Sequence, residues 1–252
     1  MKQYDGYLID LDGTMYLGNE SIESAAPFIQ ALLEANIPYL FVTNNSSKSP
    51  IELVHILQKH GIHATEKHIF TSSMATANYI EDMHSRASAF VIGEDGLKYA
   101  LQEKGIEENR VDPTHVVIGI DRELTYDKLS QACLAIRKGA TFVSTNSDAA
   151  IPTEEGLLPG NGAITAAVRT STGVDPLFIG KPSAVIMEQA IEELGIGRNV
   201  VMVGDNYDTD IQAGIQAGID TLLVCTGVTK REEALQSRDQ PTYICNDLIE
   251  WL

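Results

Sequence analysis

Asp10-Leu11-Asp12-Gly13-Thr14 sets two carboxylates two residues apart, directly after the apolar run Tyr7-Leu8-Ile9. Residues two apart in extended chain face the same way, so Asp10 and Asp12 can address one site while Leu11 turns inward. Gly13 lets the backbone turn sharply beyond them. A carboxylate so placed can attack phosphorus and become an acyl phosphate, dividing one hard hydrolysis into two easier steps. The second acid can protonate the leaving oxygen and then take a proton from the attacking water. Asp and Gly also meet in ordinary Asx turns after strands, and the segment alone favours neither account.

Three further segments carry compatible chemistry. Val203-Gly204-Asp205-Asn206-Tyr207-Asp208-Thr209-Asp210 clusters oxygen ligands behind an apolar run. That suits magnesium, which takes one or two carboxylates and keeps several waters. Asp205 is the best direct ligand; Asp210 can act through water, orient other ligands, or simply cap the helix that follows. Asp208 is the weaker case, since loop acids are usually just solvated. Lys181, in Gly180-Lys181-Pro182, offers a compact positive charge for a phosphoryl group and a nearby carboxylate. Thr43-Asn44-Asn45-Ser46 offers a hydroxyl and successive N–H groups that can grip phosphate oxygens, although polar turns after strands are routine.

Together these segments answer one electrostatic problem. Two like unit charges 4 Å apart repel by roughly 4 kcal/mol at an effective dielectric of 20. A phosphate dianion approaching Asp10 meets that repulsion more than once. A magnesium ion and Lys181 would bring about three positive charges to the same place.

The elements that must position these residues follow from the hydrophobic pattern. Short apolar runs alternate with helical periodicity, the arrangement of an α/β protein with a parallel sheet covered by helices. Strands are expected over Tyr7 to Ile9, Tyr39 to Val42, Val200 to Val203, Leu222 to Val224 and at Tyr243-Ile244. Asp10, Thr43 and Asp205 each follow a strand, and ligands of open parallel sheets bind outside the carboxyl ends. A helix from Pro50 carries Leu53, Val54 and Leu57 on one face and ends at Gly61. A second opens at Pro182, aligns Ile186, Ala190 and Leu194, and stops at Gly195. His55 and His60 fall in the first of these, where surface or packing roles are expected.

About a hundred residues between these halves carry their own strand signals, at Phe90-Val91-Ile92, Val116-Val117-Ile118 and Phe142-Val143. Leu129, Cys133 and Ile136 form one side of a helix stopped by Gly139. The expected organisation is 1–79 and 180–252 for one domain, with 80–179 inserted. There is no internal repeat.

Composition excludes other classes. The chain has 252 residues, 44% hydrophobic and 21% charged, as in ordinary globular proteins. No apolar run is long enough for a membrane span, and none of the secretory kind follows Met1, so the expected location is the cytoplasm. Cys133, Cys225 and Cys245 are three, far apart and outside any CxxC pair, which points away from zinc sites and disulfide frameworks. The six histidines show no metal-ligand spacing. A formal charge of −17 disfavours nucleic acid and acidic membrane surfaces as partners.

The combination of Asp10-Leu11-Asp12-Gly13-Thr14, Thr43, Lys181 and Gly204-Asp205 with Asp210, in that order, resembles the haloacid-dehalogenase-like hydrolase superfamily. The long insertion resembles the type IIA α/β cap of the NagD and p-nitrophenyl-phosphatase branch. Thr145-Asn146-Ser147-Asp148 and Pro159-Gly160-Asn161-Gly162 are similar to stretches of that cap, although Ser147 stands where the branch often has proline. The resemblance implies a Rossmann-like, doubly wound parallel sheet core with an inserted α/β cap domain. It implies Asp10 as nucleophile and Asp12 as general acid and base. Magnesium would be held by Asp10, Asp205 and the Asp12 main-chain carbonyl, with Asp210 steadying its surroundings. Thr43, Asn44 and Lys181 would bind the phosphoryl group, and Asn206, Tyr207, Asp208 and Thr209 would lie against the site. Asn146 and Asp148 are cap residues suited to specificity, or to ordinary loop capping. The implied substrate is a small phosphorylated metabolite, such as a sugar or sugar-acid phosphate or a nucleoside monophosphate, and acid sugar phosphatases belong to this branch. Caps of the branch often take part in dimer contacts, which makes a homodimer an expectation.

Two alternatives stay open on residues alone. A phosphomutase or phosphotransferase of the same superfamily would return the phosphoryl group to an acceptor other than water. A non-catalytic phosphometabolite-binding protein would be expected to lack one of the acids, and none is missing.

Overall fold

The apolar runs ending at Ile9, Val42 and Val203 form strands in which every residue is buried, as expected of strands covered on both faces. The computed structural model describes residues 4–84, 86–153 and 155–252. Six strands form one sheet in the order Tyr243–Cys245, Asp220–Val224, Val200–Gly204, Gly6–Ile9, Tyr39–Thr43 and Ile69–Thr71. The pairings that join the first five are parallel. Ile9 lies opposite Phe41 on one side and Val203 on the other, so Asp10, Val42 and Gly204 come level at the carboxyl ends. Chain order reverses direction across this sheet beside Gly6–Ile9, the kind of switch point at which open α/β sheets bind ligands.

Helix Ala25–Glu34 lays Phe28, Ile29 and Leu32 on Tyr7, Ile9 and Phe41. Each such fully buried side chain contributes about 2–3 kcal/mol through removal from water. Helix Pro50–Lys59 buries Leu53, Val54 and Leu57 in the same cluster, and His60 lies just past its end. Helix Ala184–Leu194 begins two residues after the expected Pro182, because Ser183 caps it: its Oγ accepts the Val185 N–H at 3.3 Å. The stop at Gly195 is as expected, with φ at 68°.

The described residues fall into two compact units. One holds the chain up to Thr43, then Pro50–Phe70 and Lys181–Leu252; the other holds Asn44–Ser49 and Thr71–Gly180. The second unit has its own five-stranded parallel sheet, in the order Leu177–Phe178, Thr141–Ser144, His115–Ile118, Ser88–Ile92 and Glu107–Glu108. Its strands alternate sides. Phe90, Ile92, Val116 and Ile118 pack with Cys133, Ile136, Ile164 and Val168 of helices Tyr126–Arg137 and Asn161–Thr172. Ala89, Val91 and Val117 pack with Ala77, Ile80, Leu97 and Leu101 of helices Ser72–Met83 and Asp95–Glu103. The expected border at residue 80 falls inside Ser72–Met83. Since Ala77 and Ile80 pack on Ala89 and Val91, that helix goes whole with the second unit, and the division comes at Phe70 and Gly180. Among the described residues, no helix is long and apolar enough to cross a membrane.

Candidate active site

Lys181 is the centre of a buried ionic cluster in the first unit. It is 1% exposed, and its Nζ donates to Asp10 Oδ1 at 2.5 Å, Asp210 Oδ1 at 2.7 Å and the Val42 carbonyl at 2.8 Å. Three acceptors match the three donors of an ammonium group. Burial alone would discharge the lysine, yet Asp10 and Asp210 outweigh it and hold Lys181 protonated beyond the ordinary lysine range. Asp10 is anchored by its own N–H, which donates to the Val203 carbonyl at 2.8 Å. Burial pushes the Asp10 carboxyl well up; Lys181 pulls it down, and Asp210 and Asp205 push it up again.

Asp205 reaches the cluster from the end of Val200–Gly204. Its Oδ1 accepts the Thr14 hydroxyl at 3.2 Å and its Oδ2 the Val228 N–H at 2.7 Å. Burial and then Asp210 push its carboxyl up to about 7, against the pull of Val228, Thr14 and Lys181. Two glycines make room. Gly13 has φ of +90°, and a Cβ there would fall 2.4 Å from the Asp205 carboxylate; a Cβ on Gly227 would fall 2.0 Å from its Oδ2. The loop after Asp220–Val224 joins both acid segments. Thr226 donates to the Gly13 carbonyl at 2.6 Å, and Thr229 gives its N–H to the Asp205 carbonyl at 3.0 Å. Thr229 Oγ1 also accepts the Tyr207 N–H at 2.8 Å.

Asp210 enters from a wide π-helical turn over Tyr207–Ile211, where the Asn206 carbonyl accepts both the Asp210 and Ile211 N–H groups. Its second oxygen accepts the Asn206 N–H at 3.0 Å. The helix that follows, Gln212–Ala217, has Ile211 at its N-cap, so Asp210 serves not as that cap but as one of the two carboxylates paired with Lys181.

Asp12 is exposed, in contrast to Asp10, and its Oδ1 accepts the Gly18 N–H at 3.3 Å. Partial removal from water raises its carboxyl, and the Gly18 contact lowers it. Thr43 is buried at the end of its strand, one residue beyond the carbonyl that Lys181 holds. Asn206 uses Oδ1 to cap the Asp208 N–H, Tyr207 directs its hydroxyl to the Asp239 carbonyl, Asp208 is exposed and Thr209 is half-buried.

Asn44, Asn146 and Asp148 belong to the second unit and meet one another there. Asn44 Nδ2 donates to both Asp148 oxygens, at 3.2 and 3.1 Å, and the Asn44 carbonyl accepts Asn146 Nδ2 at 2.8 Å and the Ser72 hydroxyl at 2.8 Å. Sequence reasoning left Thr14, Thr226, Val228 and Thr229 without roles. The run Thr226-Gly227-Val228-Thr229 after an apolar strand was the available signal.

Asp10, Asp205 and Asp210 each offer an oxygen within 4.8 Å of the others, all three buried. Three buried carboxylates against one ammonium leave the cluster short of positive charge, a deficit that a divalent cation with oxygen preference would meet.

The sequence matches a family model described as haloacid dehalogenase-like hydrolase over residues 7–107, and one of related HAD-like hydrolases over 178–251. It is 54% identical to the 5'-nucleotidase YutF of Bacillus subtilis, covering 100% of this chain and 99% of that one. It is 52% identical to an acid sugar phosphatase of Staphylococcus haemolyticus, covering 98% and 95%. Among solved structures, a thermostable p-nitrophenyl phosphatase (NPPase) double mutant from Geobacillus stearothermophilus superimposes with a TM-score of 0.95 at 52% identity, covering 100% and 99%. The 4-nitrophenylphosphatase of Thermotoga maritima does so at 0.94 and 33% identity, covering 98% and 96%. The chain belongs to the haloacid dehalogenase-like hydrolase superfamily, in its NagD and p-nitrophenyl-phosphatase branch.

Proposed function

We propose that this protein is a magnesium-dependent phosphatase of small phosphate monoesters, working through an aspartyl-phosphate on Asp10. The observation that carries the proposal is the buried Asp10–Lys181–Asp210 cluster with Asp205 beside it. A purely structural cluster would be expected to balance its charges, because uncompensated buried carboxylates are costly. This one keeps an excess of acid at the carboxyl ends of a parallel sheet.

In the first step an Asp10 oxygen attacks phosphorus and the bond from phosphorus to the ester oxygen breaks. The departing oxygen takes the proton of Asp12, whose raised carboxyl suits a general acid. In the second step Asp12 takes a proton from water, that water attacks the phosphoryl group on Asp10, and inorganic phosphate leaves. Lys181 holds the carboxylate in place and balances charge on the phosphoryl oxygens, with Thr43 and Asn44 as further donors. Asp10, Asp205 and the Asp12 carbonyl would hold the magnesium ion, with Asp210 next to them, and the ion would neutralise charge developing on the phosphoryl group. Asn206, Tyr207, Asp208 and Thr209 border this arrangement. Asn146 and Asp148 are proposed to act in substrate choice.

The relatives named as a 5'-nucleotidase and as acid sugar phosphatases support small phosphorylated metabolites as the substrate class. The test is phosphate release from p-nitrophenyl phosphate with magnesium and with chelator, followed by a metabolite panel ranked by kcat/KM. Turnover should require the metal and vanish in Asp10→Asn. Turnover that survives that substitution would remove Asp10 from its assigned role.

A further inference from the structure

Asp12 is held by a small hairpin, and the hairpin is held by a residue outside every acid-bearing segment. Gly13 donates its N–H to the Tyr16 carbonyl at 2.6 Å, and the Gly18 N–H reaches Asp12 Oδ1. Tyr16–Leu17 pairs with Glu20–Ser21, Tyr16 lying opposite Ser21 and Leu17 opposite Glu20. Gly18, the donor to Asp12, thus sits in the turn of this hairpin. Two-stranded hairpins are marginal in water and need support from neighbours.

His60 supplies that support at one cross-strand pair. Its ring stacks on Tyr16, with centroids 5.1 Å apart and planes 13° from parallel. Its Nδ1 lies 2.7 Å from Ser21 Oγ, so one side chain engages both members of the pair. Asp12 also forms an isolated parallel β-bridge with Tyr16, so the residue on which His60 stacks is paired through its backbone with the one that carries the acid.

We propose that His60 is a positioning residue for the general acid: by clamping Tyr16 and Ser21 it fixes the turn that orients Asp12 toward the leaving oxygen. The inference rests on the proposed role of Asp12. It extends that role to a residue that acts through Tyr16 and Ser21.

The test uses a leaving-group series. Substituted phenyl phosphates keep one shape while the departing oxygen varies in basicity. A basic leaving oxygen needs the proton of Asp12, and p-nitrophenolate hardly does. The kcat/KM value reports steps through leaving-group departure, so slower hydrolysis of the aspartyl-phosphate does not enter it. His60→Ala should lower kcat/KM about tenfold for phenyl phosphate and less than about twofold for p-nitrophenyl phosphate, part of the roughly 100- to 10,000-fold that general acids supply. A plot of log kcat/KM against leaving-group basicity should therefore steepen. His60→Phe keeps the ring on Tyr16, and Ser21→Ala removes the same hydrogen bond from the other side. Both should steepen the plot less, and both serve should His60→Ala fail to fold.

An equal loss across the series, or no loss in any of the three variants, would overturn the inference. If the wild-type enzyme shows no turnover dependent on Asp10, the functional proposal itself fails. If it does, and only the slope stays unchanged, the failure is confined to His60.

Discussion

Replacing Lys181 with methionine keeps most of the stem and removes one cation from between two buried carboxylates. The ammonium lies 2.5 Å from one of them and 2.7 Å from the other. Breaking a buried ion pair costs about 3–5 kcal/mol, since the partner left behind is an uncompensated charge. Here two partners are left, with Asp205 adding to their repulsion. Protonation limits the damage. A buried aspartate binds a proton in the folded state before the unfolded chain does, and so recovers up to about 1.4 kcal/mol per pH unit per group as pH falls. Lys181→Met should therefore lose about 3–5 kcal/mol at pH near 8 in chelator, and markedly less near pH 6. The assay is urea unfolding followed by circular dichroism at both pH values. Saturating magnesium should restore part of the loss by supplying the missing charge. A loss below about 1 kcal/mol at the higher pH, or one that does not change with pH, would refute the picture of an acid-rich cluster centred on this lysine.

The same physics acts on the wild-type protein. With Asp205 pushed to about 7 in the fold and near 3.9 in the unfolded chain, the folded state holds more protons between those values. Stability in chelator should fall as pH rises from about 4 to about 7, by up to roughly 4 kcal/mol from this group, and Asp205→Asn should flatten the curve. Unfolding curves that rise with pH over that range would contradict the assignment. Gly13→Ala places a Cβ against the Asp205 carboxylate at a backbone angle that alanine disfavours. It should cost about 1–3 kcal/mol and raise the magnesium concentration needed for thermal stabilisation, read by calorimetry. An unchanged magnesium midpoint would mean that the Gly13–Asp205 packing does not shape the proposed metal site.

Much of the candidate site was legible because its residues stand at the ends of buried apolar runs. Asp10 after Ile9 and Asp205 after Gly204 follow from strand signals alone, and parallel pairing brings the two together. Lys181 was readable as charge but not as geometry, since no periodicity says that a residue before a helix reaches back to Val42. Asp210 was ambiguous for the same reason: a helix cap and an ion-pair partner look alike in sequence. Asn44 reads as a continuation of the strand ending at Thr43. It goes with the second unit because its carbonyl takes hydrogen bonds from Ser72 and Asn146, residues far along the chain. The border near residue 80 was misplaced by one helix because the buried face of that helix is mostly Ser72, Ser73, Ala75, Thr76 and Ala77, small or polar residues that give little apolar periodicity beside Ile80. His60 is the extreme case. Its two contacts are with a hairpin about forty residues earlier, and only the folded chain shows them.

The central claim, that Asp10 accepts the phosphoryl group, is tested most directly by trapping it. In the proposed scheme Asp12→Asn retains the attacking carboxylate but lacks the base for the second step, so the adduct should accumulate on brief exposure to p-nitrophenyl phosphate and magnesium. Mass spectrometry of the digested protein should find one phosphoryl group on the peptide that contains residue 10. An unmodified peptide under conditions where p-nitrophenol is released, or a phosphoryl group on any other residue, would contradict the account.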